Sequence, residues 1–289
     1  MNRVIRDRKH GQTPMAQQCR DDLEYLSFPL LERTGIVGHL FTTRNGGVST
    51  GDCASLNLSF SRGESREVVL ENYRRVCNVL GESCDNLVAS MQTHTTNIRY
   101  VGAEACGMGV TRPLEYSDVD GLITDVPQVV LVCLFADCVP LYFVDPVKRA
   151  IGLAHSGWRG TVSRMGEHMV EKMRECFGSK PEDLIAAIGP SICADCYEVS
   201  ADVAGEFEKQ FSSSDIVYPG RVQGKYQVDL WEANKRILLE TGLKEDKIAM
   251  TDICTCHNSR YLYSHRASHG RRGNLGAFLY ILNPNLQNP

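Results

Sequence analysis

Short apolar runs broken by turn signals recur along the whole chain, and the densest set lies between positions 118 and 161. Segments 129–135, 141–144 and 150–154 are each rich in Val, Leu and Ile. Runs of that length read as buried strands rather than helices. Asp145-Pro146, between the second and third, marks a turn that folds those two back on one another. Further segments of strand character are 25–31, 38–43, 87–91, 97–101, 184–188, 248–253 and 277–282. Helical spacing appears in Val69, Tyr73, Val76 and Leu80 across 65–80, with Gly81 as the stop, and in Val162, Met165, Met169, Met173 and Phe177 across 162–177, closed by Gly178. The methionine stripe of that second helix reads as core packing. Two more helices are expected at 200–211 and at 230–240, the latter capped by Asp229 and closed by Gly242. Residues 1–20 lack periodicity and are expected to form a mobile arm before one domain at 21–289. Strands and helices intermingle throughout, which implies a single mixed α/β domain, its sheets flanked by helices.

Composition narrows the picture. With 43% hydrophobic and 23% charged residues the chain can bury a substantial core, and a net charge of -4 gives no global basic field to hold nucleic acid. No apolar run approaches the roughly 18 residues of a membrane span, and no apolar segment opens the chain, so the expectation is a cytoplasmic protein with no membrane partner and no obligate protein partner evident. In that compartment its twelve cysteines are reduced thiols, available for metals, reactive sites or burial rather than a disulfide frame.

A hairpin of 141–144 and 150–154 would bring Cys138 and His155 to neighbouring strand ends. Sulfur and imidazole on rigid strands suit either a metal or a Cys/His nucleophilic pair; the bland alternative is a buried small hydrophobe and a satisfied turn histidine. His94 also follows a strand, at 87–91. A Cys with two His is an accepted ligand set for a catalytic zinc, with a fourth position open. A rival set is Cys193-Ala194-Asp195-Cys196 with Cys254-Thr255-Cys256-His257, which could form a structural zinc site, a redox pair or plain core. The turn Asn45-Gly46-Gly47 could present Arg44 and free N–H groups to an anion, or be only a turn. The basic, Gly-containing stretch 263–274 could clamp phosphate, or be a solvated loop.

Several motifs together carry a resemblance. Thr-Arg-Asn-Gly-Gly-Val-Ser at 43–49, Ser-Leu-Asn-Leu at 55–58, Gln-Thr-His at 92–94, Asp-Val-Asp-Gly at 118–121, Ala-Asp-Cys-Val-Pro at 136–140, Ala-His-Ser-Gly-Trp-Arg-Gly at 154–160 and Ile-Gly-Pro-Ser-Ile-Cys-Ala-Asp-Cys-Tyr-Glu-Val at 188–199 are similar to blocks of the YfiH/laccase-domain family. The match covers about residues 25–282. The resemblance implies an α/β fold grouped with cysteine hydrolases, a zinc held by His94, Cys138 and His155, and phosphorolysis of adenosine, inosine, guanosine or methylthioadenosine together with adenosine deamination. Purine nucleosides and phosphate are then the expected ligands. Arg44, with Arg159 or Arg266, is expected to hold phosphate, and Asn57 and Asp137 to orient substrate or ligands. Members of the family are also described as copper-dependent polyphenol oxidases and as peptidoglycan editing factors. Copper is therefore the alternative metal, and a Cys138/His155 hydrolase of cell-wall peptides the alternative enzyme; a non-enzymatic metal-binding module is the third reading. Two positions depart from the family pattern: Thr95 stands where many members have Gly, and His265 where an aromatic residue is expected before Arg266.

Overall fold

The structure, a computed structural model, describes residues 4–7, 15–211 and 215–283. Two six-stranded sheets pack face to face. The first runs in the order β1 (Ala16–Arg20), β2 (Leu23–Ser27), β3 (Val37–Thr42), β15 (Leu275–Ile281), β7 (Val130–Phe135) and β4 (Leu87–Ala89). The second runs β14 (Ile248–Met250), β10 (Ile185–Ile188), β8 (Val139–Asp145), β9 (Ala150–Ser156), β6 (Gly121–Thr124) and β5 (Ile98–Tyr100), and a small sheet joins β11 (Glu198–Ser200), β13 (Lys225–Val228) and β12 (Val217–Pro219). The helices are α1 (Pro29–Glu32), α2 (Arg66–Leu80), α3 (Trp158–Val162), α4 (Met165–Phe177), α5 (Ala201–Gln210), α6 (Leu230–Glu240) and α7 (His265–Ser268).

Strand periodicity explains the layering. Along β7, Val130 and Val132 pack with Val69, Tyr73 and Val76 of α2, while Leu131 and Cys133 enter the space between the sheets. Along β8 and β9, Tyr142, Val144, Ile151 and Leu153 fill that same space, and Leu141, Phe143, Ala150 and Ala154 meet α4 and α6 on the far side. The order of layers is helix, sheet, sheet, helix. Strands covered on both faces need apolar side chains in both phases, which is why 129–135, 141–144 and 150–154 read as continuous runs.

The expected hairpin is present: β8 and β9 pair antiparallel with Pro140 opposite His155 and Val139 opposite Ser156. Strand β7 belongs to the other sheet, so 136–138 is a crossing between sheets. Other expectations need correction. The strand expected at 25–31 stops at Ser27, because Pro29 opens α1 and Pro is pre-organised for a first helical turn. The single helix expected at 162–177 is two, broken where Arg164 adopts a left-handed conformation at φ +60. Nor is the N-terminal stretch a free arm where it is described. Val4 is buried, Ile5 and Asn258 exchange hydrogen bonds of 2.7 and 2.9 Å, Arg6 pairs with buried Asp252 at 2.7 Å, and Ala16–Arg20 is an edge strand on β2. Residues 1–3 and 8–14 of the expected arm lie outside the described residues. Among the described residues no helix is long and apolar enough to cross a membrane.

Candidate metal centre and active site

Cys138 lies where the chain leaves β7 for β8. His155 follows Ile151 and Leu153 on the inward face of β9, its ring 5.5 Å from that of Phe135 at the end of β7. His94 reaches the same point from the turn after β4, with its backbone in the left-handed region at φ +67 and its ring edge-on to His155 at 4.9 Å. The Cys138 sulfur and one nitrogen from each imidazole all lie within 4.8 Å of one another. Gly157 makes this approach possible: a Cβ there would stand 3.0 Å from His94 Cδ2 and 3.1 Å from Cys138 Sγ.

Asp120, fully buried, organises the three. Its carboxylate accepts from the backbone N–H groups of Thr93, His94 and Thr95 at 3.0, 3.1 and 2.9 Å, from Thr95 Oγ1 at 3.0 Å and from His155 Nδ1 at 2.8 Å. Burial opposes its charge, but the hydrogen bonds from His155, Thr93 and Thr95 prevail and hold the carboxyl down at about 2. The bond to Nδ1 leaves His155 Nε2 as the nitrogen available to a metal. Burial penalises the charged forms of both Cys138 and His155. Their mutual attraction, helped by His94 at the thiol and by Asp120 at the imidazole, outweighs that cost, bringing the thiol to about 6 and the imidazole to about 9. One thiolate sulfur and two imidazoles, one oriented by a carboxylate, fit the donor chemistry of a zinc centre with an open position.

The sequence-derived substrate residues are distributed unevenly. Asp137, at φ +87, accepts from Thr255 Oγ1 at 2.6 Å and from the backbone N–H of Arg266 at 2.7 Å, so it ties two loops beside Cys138. Exposed Arg266 lies over the Tyr197 ring at 5.5 Å, and exposed Arg159 over Trp158 at 4.4 Å. Burial pushes the Tyr197 phenol up, and the charges of Cys138 and Asp137 act in the same direction against those of Arg266 and Arg159. Arg44 is committed elsewhere: Nε donates to Ala54 O and Nη1 to Ser259 O, both at 2.9 Å, with Tyr263 under the guanidinium. Asn57 is fully buried. Its Nδ2 donates to Ser59 O and Glu64 Oε2 and its Oδ1 accepts from Ser59 N and Asn274 N, which leaves the amide no free donor or acceptor for a substrate.

Two further arginines, which the sequence did not single out, share a partner in the loop before β15. Arg272 donates to Asn274 Oδ1 at 2.6 Å, and Arg62 Nε reaches the same oxygen at 2.9 Å. Burial and the neighbouring Arg62 charge push Arg272 down to about 10, while Asp137 and Cys138 act in the other direction. Its Nε is buried with no hydrogen-bond partner among the described residues. The basic stretch 263–274 was the only sequence signal for Arg272; Arg62, in a Ser/Gly loop, gave none.

Two stacked sheets with a Cys/His2 cluster at their crossing define a class of mixed α/β protein. Residues 38–282 match the family described as multi-copper polyphenol oxidoreductase laccase. The chain is 36% identical over 243 residues to "Purine nucleoside phosphorylase YlmD" of Bacillus subtilis, covering 83% of this chain and 86% of that one. "Adenosine deaminase RL5", from an unknown prokaryotic organism, is 31% identical over 230 residues, 78% of this chain and 87% of that one. The crystal structure of the hypothetical protein YfiH of Bacillus licheniformis superposes with a TM-score of 0.86 at 30% identity, covering 94% of this chain and 100% of that one. The chain therefore belongs to the YfiH/laccase-domain family.

Proposed function

We propose that this chain is a zinc-dependent purine nucleoside phosphorylase acting on adenosine, inosine, guanosine or methylthioadenosine, with adenosine deaminase activity, and that His94, Cys138 and His155 hold the ion. The observation that carries this reading is the convergence of those three ligand atoms around a histidine oriented by buried Asp120. The names of the relatives support the substrate class. When bound, the ion supplies Lewis-acid polarisation at the open position. The chain's own residues supply the remainder. Asp120 fixes the His155 tautomer and, through three backbone N–H groups, the turn that carries His94.

As the bond from sugar to purine breaks, positive charge develops on the sugar and a phosphate oxygen attacks the anomeric carbon; a fixed cation that holds phosphate there lowers the barrier. We assign that role to Arg272 with Arg62, on the strength of the buried, unpartnered Arg272 Nε. Arg266, stacked on Tyr197, and Arg159, stacked on Trp158, are further candidates for that role, whereas Arg44 acts as a brace between loops.

A second reading has its own observation. Asp120, His155 and Cys138 form the acid, base and thiol series of a cysteine hydrolase, which in the family would act on cell-wall peptides. Metal content, free purine and inosine, measured across a phosphate series, separate the two readings. Cys138→Ala is expected to lose zinc and both nucleoside reactions together. Arg272→Ala is expected to keep zinc, raise the phosphate KM by about 10- to 100-fold and spare deamination. Purine release independent of phosphate would sink the phosphorylase reading. A metal-free wild type whose peptide hydrolysis vanishes in Cys138→Ala would establish the second.

A further inference from the structure

Strands β10 and β14 are parallel neighbours, and the connections that leave them run side by side: Ser191 pairs with Cys254, and Thr255 N–H donates to Ser191 O at 3.0 Å. The first connection carries Cys193 and Cys196, the second Cys254 and His257. Topology thus joins a Cys-x-x-Cys to a Cys-x-x-His across 57 intervening residues. The three sulfurs and one imidazole nitrogen all lie within 4.8 Å of one another, and Cys193 Sγ is 3.7 Å from His257 Nδ1. In a tetrahedral zinc site a sulfur ligand and a nitrogen ligand stand about 3.5 Å apart, and two sulfurs about 3.8 Å.

We propose that Cys193, Cys196, Cys254 and His257 bind a structural zinc ion, separate from the His94, Cys138 and His155 centre. Four features favour a closed structural site. The four ligands complete a tetrahedron, so no position is left for substrate. Cys193 and Cys254 are 2% and 1% exposed, and Cys193 N–H donates to Cys254 Sγ at 3.3 Å, a bond that stabilises a thiolate. Cys256, which the sequence grouped with the set, lies outside the four; all twelve cysteines are free thiols. The fourth feature is what the ion would hold. Thr255, between two of the ligands, donates to Asp137, and Arg266 Nη1 donates to Cys196 O at 3.0 Å. A bound ion therefore locks together the two loops that fix Asp137, Tyr197 and Arg266 beside the active site.

The test counts zinc in the full chain, purified without added metal or oxidant. In Cys138→Ala, which lacks a ligand at the first centre, one equivalent of zinc is expected to remain; adding Cys196→Ser should remove it. No zinc in the single variant, or an equal content in both, overturns the proposal. A measurement on wild type covers the case in which the double variant does not fold. Cys196 is half-buried, and iodoacetamide should spare it, with Cys193 and Cys254, until a chelator is added. Labelling of Cys196 at the same rate with and without chelator, or a disulfide between any two of the three in peptide maps, also overturns it.

Discussion

Asp120 is the residue on which the proposed metal centre depends without being a ligand. Its five hydrogen bonds reach one ligand's ring and the backbone of the turn that carries another. An amide at this position keeps the shape but offers one acceptor oxygen in place of two, and removes the charge that favours donation from His155 Nδ1. Asp120→Asn is therefore expected to weaken zinc binding about 10- to 100-fold with little change in the far-ultraviolet spectrum, measured by competition with a chromogenic chelator. Unchanged zinc affinity would show that the ligands are placed without it. His94, Cys138 and His155 were legible in the sequence because each follows an apolar strand run, which marks a strand end. Asp120 sits in the quoted Asp-Val-Asp-Gly block, yet an acidic residue in a loop has no periodicity to separate it from a solvated one. Asn57 shows the converse: its motif suggested a substrate contact, and its amide is spent internally. The anion role proposed for Arg272 rests on a buried Nε without a partner among the described residues, which a sequence does not display.

Helix α6 connects the scaffold to the site. Asn234, buried in it, accepts from Ser156 Oγ at 3.2 Å and donates to Thr161 Oγ1 at 3.0 Å, bracing the end of β9 next to His155. Trp231 Nε1 donates to Ser191 Oγ at 2.6 Å in the connection that carries Cys193. Asp229 caps this helix, accepting from the N–H groups of Trp231 and Glu232, both at 3.0 Å. Removing the cap in Asp229→Ala leaves those donors without it and is expected to cost about 1 kcal/mol, seen as a melting temperature lower by roughly 2–4 °C. An unchanged transition would mean that the helix is held by packing alone. Caps and stops such as Gly81, Gly178 and Asp229 were readable because they are local chemistry. The partition of strands between two sheets was not. Strands β7, β8 and β9 are all apolar on both faces, so nothing in their pattern says that β7 leaves for the other sheet. The break between α3 and α4 was hidden for a similar reason, since Val162 and Met165 stand three apart across it, as they would in one continuous helix.

At the scale of the whole molecule, stability rests on the seam between the two sheets, and one titratable ring inside it gives that seam a pH dependence. His39, on β3, is 8% exposed, with Phe28 stacked at 6.3 Å and Tyr142 edge-on at 6.0 Å. Its Nε2 accepts the backbone N–H of Phe28 at 2.8 Å, which requires the neutral ring. Burial pushes its pKa down to about 4 from the ordinary value of 6.5. Between those two values the unfolded chain binds a proton that the folded chain does not, so stability falls as pH falls. The contribution is complete above pH 6.5 and lost progressively toward pH 4, on the order of 3 kcal/mol in all. Asp120 titrates below this window, because its folded value near 2 and ordinary value of 3.8 confine its loss to more acid solution. His155 with Cys138 acts above it, where a raised imidazole favours the folded state until pH climbs through about 9. The slope between pH 6.5 and 4 is thus expected to carry a large His39 component. His39→Gln keeps an oxygen that can accept from Phe28 but cannot titrate. Urea unfolding at pH 7 and pH 4.5 should give a smaller difference for that variant than for wild type, even if the variant is less stable at both. Equal differences in the two proteins would place the acid sensitivity elsewhere than in this seam.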